Sequence, residues 1–412
     1  MDRFQEVEFE IQYIKIVFIC KKSLSFKINL PDGAMKFKIH EKKEFFLSLL
    51  ILLITIGLFL RAVKLYERTE MPSIDKGKVI EITEEDLDGY TQIKSGYQAL
   101  EVQITSGKYS GEILEGVNVL VYDLQFDTYL ETGDPVSVVI EKSVKGNPRA
   151  RVVNFHRRPV IYLMAGIFVF LILLIGRVKG FRSLVSLLFI IGLILAVLLP
   201  LILKGYSPVM VTVPVCAFGG FTTLFLVAGL NNKAVVSSVG LLTGTLFSGL
   251  LAVICGNLMK LSGSDTGFEQ LLALYMPNKL DIPGILYSGV IIACLGAVMD
   301  VSVELSSSLH ELKRRNPAVN FAQLVDSGMN IGRDVMGTMA NTLVLVYVGT
   351  SLAMFLYFFS QGFIYDYAID LNLIASTFLQ AVSGSIGLMM SIPATVFFGA
   401  YFFSRVKPVN VK

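Results

Sequence analysis

PVIYLMAGIFVFLILLIG, residues 159–176, holds no charged side chain, and after a short basic interval LVSLLFIIGLILAVLLPLIL follows at 184–203. A bilayer core about 30 Å thick takes about 20 apolar residues of helix, so each stretch reads as a spanning helix. Working outward, six more runs of the same kind stand at 45–60, 208–230, 235–259, 282–305, 335–359 and 373–403. Lipid offers the backbone no hydrogen-bond partners, so these runs are expected to be helical even where Val and Ile abound. The first is short enough to resemble a signal peptide. No small-x-small cleavage pattern follows Leu60, whereas Arg61, Lys64 and Arg68 do, as in an uncleaved anchor with snorkelling basic ends.

Composition agrees. Across 412 residues only 17% are charged, where about 25% is usual for a soluble protein, and mean hydropathy is +0.64. That balance argues against a soluble enzyme. The net charge of +3 gives no basic field for a nucleic-acid partner. Charge is segregated: residues 70–158 carry 15 acids and 10 bases, whereas 159–412 carry only 10 acids. Cys20, Cys216, Cys255 and Cys294 lack disulfide or metal spacing and read as small hydrophobes.

Lys and Arg set the orientation. With the N-terminus cytoplasmic, inner segments 177–183, 231–234, 306–334 and 405–412 hold 11 basic residues, and outer segments 204–207, 260–281 and 360–372 hold 3. The positive-inside rule then places both termini in the cytoplasm and residues 61–158 outside. The expected organisation is a cytoplasmic segment 1–44, an anchor 45–60, an extracytoplasmic β-rich domain 61–158, and a seven-helix domain 159–412 with a cytoplasmic loop 306–334. Residues 1–34 fit poorly with the rest. Met35, followed by Lys36, Lys38, Lys42 and Lys43, resembles a natural start.

In the outer block, apolar residues alternate at Leu100, Val102 and Ile104, at Val117, Val119 and Val121, and at Val136, Val138 and Ile140. Period two is the mark of half-buried strands. Ser106-Gly107, Gly111, Gly116 and Gly133-Asp134-Pro135 are the expected turns. Five or six short strands fit an OB-like barrel or a sandwich. Glu84, Glu85, Asp86 and Asp88 lack the glycine and spacing of a calcium loop and read as a solvated loop.

Ionisable residues inside spans are costly and usually face a bundle interior or a water-filled cavity. The sixth run ends with Asp300 and Glu304 on one helical face, which Gly289, Ala293 and Gly296, with Ala297, continue outward as small residues. The seventh begins with a polar stripe of Asn330, Asp334, Thr338 and Asn341, beside Arg333. One run descends and the other ascends, so both polar stretches lie at the same cytoplasmic depth.

The segments Gly296-Ala-Val-Met-Asp300-Val-Ser-Val-Glu304-Leu and Ser327-Gly-Met-Asn330-Ile-Gly-Arg333-Asp334-Val-Met-Gly-Thr338-Met-Ala-Asn341-Thr-Leu resemble the hallmark of the YibE/F-like membrane proteins. The resemblance runs from about residue 76 to about 404. It implies a bacterial multi-pass protein of the cytoplasmic membrane and carries no catalytic or ligand role to any position.

Three functional classes follow from the residues. In a permease, Asp300, Glu304 and Asp334 near Arg333 form a proton or cation site, and Asn330, Thr338 and Asn341 add neutral coordination for a small solute or ion. In the structural alternative, Arg333 pairs with these acids and staples the two helices. A non-enzymatic assembly or sensing protein would instead bind an extracytoplasmic protein partner through the β domain. A homo-oligomer through the small face of the sixth run is also expected as an option. Enzymatic readings are poor. Asp300 lacks the Gly-x-Gly-Asp of an intramembrane aspartyl protease, and His310-Glu311 has Arg314 where a zinc HExxH needs its second His. No cofactor motif is present. Segment 306–334 is expected to carry a surface helix starting at Asn316-Pro317, with Lys313, Arg314 and Arg315 at the headgroups.

Overall fold

A computed structural model describes residues 39–66, 73–90, 93–123, 126–142, 147–264, 267–276, 280–362 and 365–405. The expected start at Met35, the segment before it and Cys20 lie outside the described residues, and residues 47–412 form one unit.

The anchor is helix α1, Ile39–Tyr66. After it, strands β1 (Ile74–Tyr90), β2 (Ile93–Ile104), β3 (Ile113–Val121), β4 (Pro135–Lys142) and β5 (Pro148–Phe155) close into a barrel in the order β1-β2-β3-β5-β4. All pairings are antiparallel except β3 with β5. This is the five-stranded Greek-key barrel of the OB type. Val79, Leu100, Val102, Ile104, Val136 and Val138 fill its core, so two of the three alternations sort the side chains as expected; the third is reversed, because Val119 and Val121 of β3 face outward and Leu114 and Leu120 are its buried residues. Two expectations are corrected. Gly116 lies inside β3, not in a turn: an added Cβ would stand 2.9 Å from Val102 and 3.1 Å from the Ala150 carbonyl, so only glycine admits the parallel neighbour. The acidic run is strand, not loop, because the β1–β2 register continues through Glu84, Glu85, Asp86 and Asp88 to Tyr90↔Ile93.

Buried Gln98 organises one end of the barrel. Its side chain accepts from Leu130 N (3.1 Å) and Asn118 Nδ2 (3.0 Å) and donates to Leu130 O (3.1 Å) and Glu85 Oε1 (2.8 Å). These bonds hold the irregular segment before β4 over the core, where Leu130 is fully buried.

The helical block comprises α2 (Arg158–Leu193), a π-helical turn Ile194–Leu198, α3 (Leu199–Leu203), α4 (Pro208–Val227), α5 (Asn232–Leu258), α6 (Phe268–Tyr275), α7 (Ile282–Arg315), α8 (Phe321–Thr350), α9 (Leu352–Ser360), α10 (Tyr365–Ile369) and α11 (Asn372–Arg405). Among the described residues six helices are long and apolar enough to cross a membrane, and α8 with α9, bent by 59°, makes a seventh. One of the six, Arg158–Leu203, has 46 residues, about 69 Å at about 1.5 Å each, twice what a bilayer core takes. It is broken at Arg177, whose φ of 47° and ψ of −124° are not helical. The helix is kinked there, and an added Cβ at Gly180 would lie 2.2 Å from the Ile172 carbonyl oxygen eight residues earlier. With its two parts across the kink counted separately, each of the eight apolar runs falls on a helix.

Helices α5, α7 and α11 pack at the centre through small residues. An added Cβ at Gly240 would meet Thr395 and Ser302, and one at Gly244 would meet Val298 and the Gly387 carbonyl. Ser237 Oγ donates to Ser302 O (3.1 Å) and Ser306 Oγ to Lys233 O (2.8 Å), joining α5 to α7. Gly240, Gly244, Ser383, Gly387 and Ser391 are therefore packing residues of the interior. Phe126 of the barrel meets Phe268 of α6 edge-on with centroids 6.3 Å apart, so the barrel and the segment between α5 and α7 share one end of the molecule.

The expected surface helix at Asn316-Pro317 is not formed. Helix α7 runs ten residues past Leu305 to Arg315, with Asn316 as its C-cap, and α8 starts at Phe321 on an Asn320–Gln323 capping box. Lys313 Nζ donates to Pro317 O (2.9 Å) and Val319 O (2.8 Å), so this lysine closes the tight turn. A strong cap at Asn320 outcompetes the weaker start at Asn316.

Candidate functional site at helices α7 and α8

Helix α7 starts on Asp281, whose side chain accepts from Gly284 N, with Pro283 in the first turn. Its buried face holds Val290, Ile291, Cys294, Val298, Val301 and Leu305. The opposite face carries Gly289, Ala293, Gly296, Asp300 and Glu304, all exposed. At about 100° per residue these five fall within one sector, as the spacing required. The small residues do not seat a helix of the same chain: an added Cβ at Gly289 or Gly296 would have no neighbour within 4 Å.

Helix α8 packs by its first half. Leu324, Gly328 and Gly332 are its buried residues, and an added Cβ at Gly332 would press on Ile392 of α11 at 2.4 Å. Met336, Met339 and Leu343 continue that face against the core. The other face carries Asn330, Arg333, Asp334, Gly337, Thr338 and Asn341, all exposed.

The two helices are antiparallel and in defined register. An added Cβ at Gly328 would lie 2.9 Å from Leu309, and one at Gly332 3.7 Å from Leu305. Each step along α8 therefore matches one step back along α7, which sets Arg333 level with Glu304, Gly337 with Asp300, and Asn341 with Gly296. The shared depth expected of both polar stretches holds. Asn341 lies about 13 Å along the axis from Gly332, within the span.

Shared level does not bring contact. Among the described residues no ion pair joins Arg333 to Asp300, Glu304 or Asp334, so the stapling alternative is not what the side chains do. Arg333 Nη1 donates to Asn330 Oδ1 (2.7 Å), and Thr338 Oγ1 donates to Val335 O (3.0 Å). Asp300, Glu304, Asp334 and Asn341 form no side-chain hydrogen bond to another described residue. A charged group at the centre of a span costs about 2.5–3.5 kcal/mol on insertion scales, and among the described residues Asp300 and Asp334 have no ion-pair or hydrogen-bond partner to offset it.

Other chemistry is poorly placed. No hydrogen bond links Asp300 to Asp334, and Glu311 is held by Arg314 (2.8 Å) and Arg315 (2.7 Å). Among the described residues no group of three His, Cys, Asp or Glu side chains is arranged to hold a metal. The sequence did not single out the buried hydroxyls of Thr212, Thr223 and Ser288, which have no hydrogen-bond partner among the described residues. Their only signal was a polar atom in an apolar run.

A profile described as YibE/F-like protein matches residues 164–405, which covers the helical block and leaves the barrel and anchor outside the match. No curated protein and no solved structure matches the chain.

Proposed function

The chain belongs to the YibE/F-like protein family, and from that premise we propose that this multi-pass membrane protein is a permease for a small solute or ion. One observation carries the reading. The exposed face of α8 sets Asn330, Asp334, Thr338 and Asn341 along more than two turns of a spanning helix, level with the unpaired Asp300 and Glu304 of α7. Groups of this kind are left to water or to a solute, and a line of them is a path. Asp300 and Glu304 would bind a cation or carry protons, Arg333 would tune their charge, and the amide and hydroxyl oxygens of Asn330, Thr338 and Asn341 would replace hydration. The basic inner segments orient it in a bacterial cytoplasmic membrane, both termini inside and the barrel outside. No catalytic step is part of the proposal.

Flux into proteoliposomes tests it. Asp300→Asn should abolish ion coupling and Asn341→Ala should slow transport, with both variants folded. Absence of flux for every ion and metabolite tried with the wild type sinks the permease reading.

A second reading has its own observation. Val119, Val121 and Val153 are exposed on the adjoining strands β3 and β5, an apolar strip that a protein partner outside the membrane would cover. In such an assembly protein Asp300→Asn leaves the phenotype intact.

A further inference from the structure

The open faces of α7 and α8 complement each other in size, and Arg333 of α8, with Asp334 beside it, stands level with Glu304 of α7. We propose that they are the two halves of an interface between copies of this chain, with α8 of one copy seated on the small-residue face of α7 of another. The proposal stands without the permease reading.

Copies related by an axis along the membrane normal keep every residue at its own depth, so the levels within one chain also hold between chains. Arg333 of one copy then meets Glu304 of the other, a base and an acid that make no ion pair among the described residues of their own chain. Asn341 meets Gly296, where an added Cβ has no neighbour within 4 Å. Gly337, equally open, meets Asp300 and leaves room for its carboxylate. One turn on, the exposed Val344 and Val348 of α8 meet Ala293 and Gly289. Large side chains thus stand opposite small ones along about four turns, with Arg333 opposed to Glu304 at one end. Small residues let helices approach closely, and polar groups facing one another are removed from lipid. A two-fold axis would form the α7–α8 contact twice, because each chain carries both halves. The occupant is another copy because each open half finds its complement, at its own depth, on this same chain.

Cysteine crosslinking in native membranes tests the interface. The native cysteines are replaced by alanine, and two tagged chains, one with Gly296→Cys and one with Asn341→Cys, are co-expressed and oxidised. A mixed dimer carrying both tags is expected. Leu250→Cys, on an exposed face of α5, should give none with either. Glu304→Arg alone should lower the mixed dimer several-fold, Arg333→Glu alone likewise, and the two together should restore it. Wild-type protein in native nanodiscs should have at least twice the mass of the 45.4 kDa chain. Three results would overturn the proposal: a monomeric wild type, crosslinking equal to the Leu250→Cys control, or crosslinking of Asn341→Cys to a different protein only. Loss of flux with the dimer intact bears on the permease reading alone.

Discussion

Glu304 of α7 and Arg333 of α8 lie at the same level of two neighbouring antiparallel helices, yet make no ion pair. Packing decides this. Leu305 and Leu309 must meet Gly332 and Gly328, and that contact rotates Arg333 and Glu304 onto outward faces.

Two glycine positions that look alike in sequence should respond in opposite ways. Gly244→Val drives a side chain against the Gly387 carbonyl oxygen, 2.8 Å from the added Cβ, and against Val298 at 2.6 Å. Backbone cannot swing aside, so a loss of about 1–3 kcal/mol is expected. Gly296→Val should leave the stability of the protomer unchanged. Thermal unfolding in detergent, at a concentration where the protein is monomeric, compares them directly.

Gln98→Leu should destabilise the barrel by about 1–3 kcal/mol, since the Leu130 backbone and the Asn118 amide lose buried partners. Limited proteolysis between β3 and β4 should become several-fold faster. Unchanged cleavage would show that the segment is held by other contacts.

His156, buried at the end of the barrel and 3.0 Å from Ser137 Oγ, is kept below its ordinary value of 6.5 by burial and then by Lys76 and Arg158. The fold favours the neutral ring. Its contribution is therefore complete above about pH 6.5 and is lost as pH falls through the lower folded value. The barrel Tm should fall on acidification below pH 6.5, and His156→Gln should flatten that dependence.

Gly180→Val places a side chain on the Ile172 carbonyl at the break after Arg177. The close approach of the two parts of α2 across the kink should fail, with a sharp drop in the yield of folded protein. Accessibility of a cysteine introduced at Lys179, read from each side of the membrane, reports whether the kink still forms.

Much of the fold was legible because a bilayer sets length: each apolar run became helix, and each alternating run became strand. Facing was not legible. Gly240 and Gly244 pack against the same chain, whereas an added Cβ at Gly289 or Gly296 meets none of the described residues, and glycine spacing is the same signal for both. The polar residues of the site were visible one by one, because polarity in a span stands out. The lack of contact between those of α7 and those of α8 was hidden, since it depends on where Leu305 and Leu309 dock. Asn316-Pro317 misled for a similar reason: a local start signal gave way to a better cap four residues later.

Closure of the barrel leaves little strand backbone unpaired. Among the described residues one such stretch is the far part of β1, where Glu84 to Tyr90 pairs with β2 alone and its other side is an open edge. That is where Glu84, Glu85, Asp86 and Asp88 sit. Such an edge invites pairing with strands of other chains, and four carboxylates repel an identical edge while making approach by any strand expensive to desolvate. The acidic run thus disfavours pairing of this open edge with the same edge of another barrel.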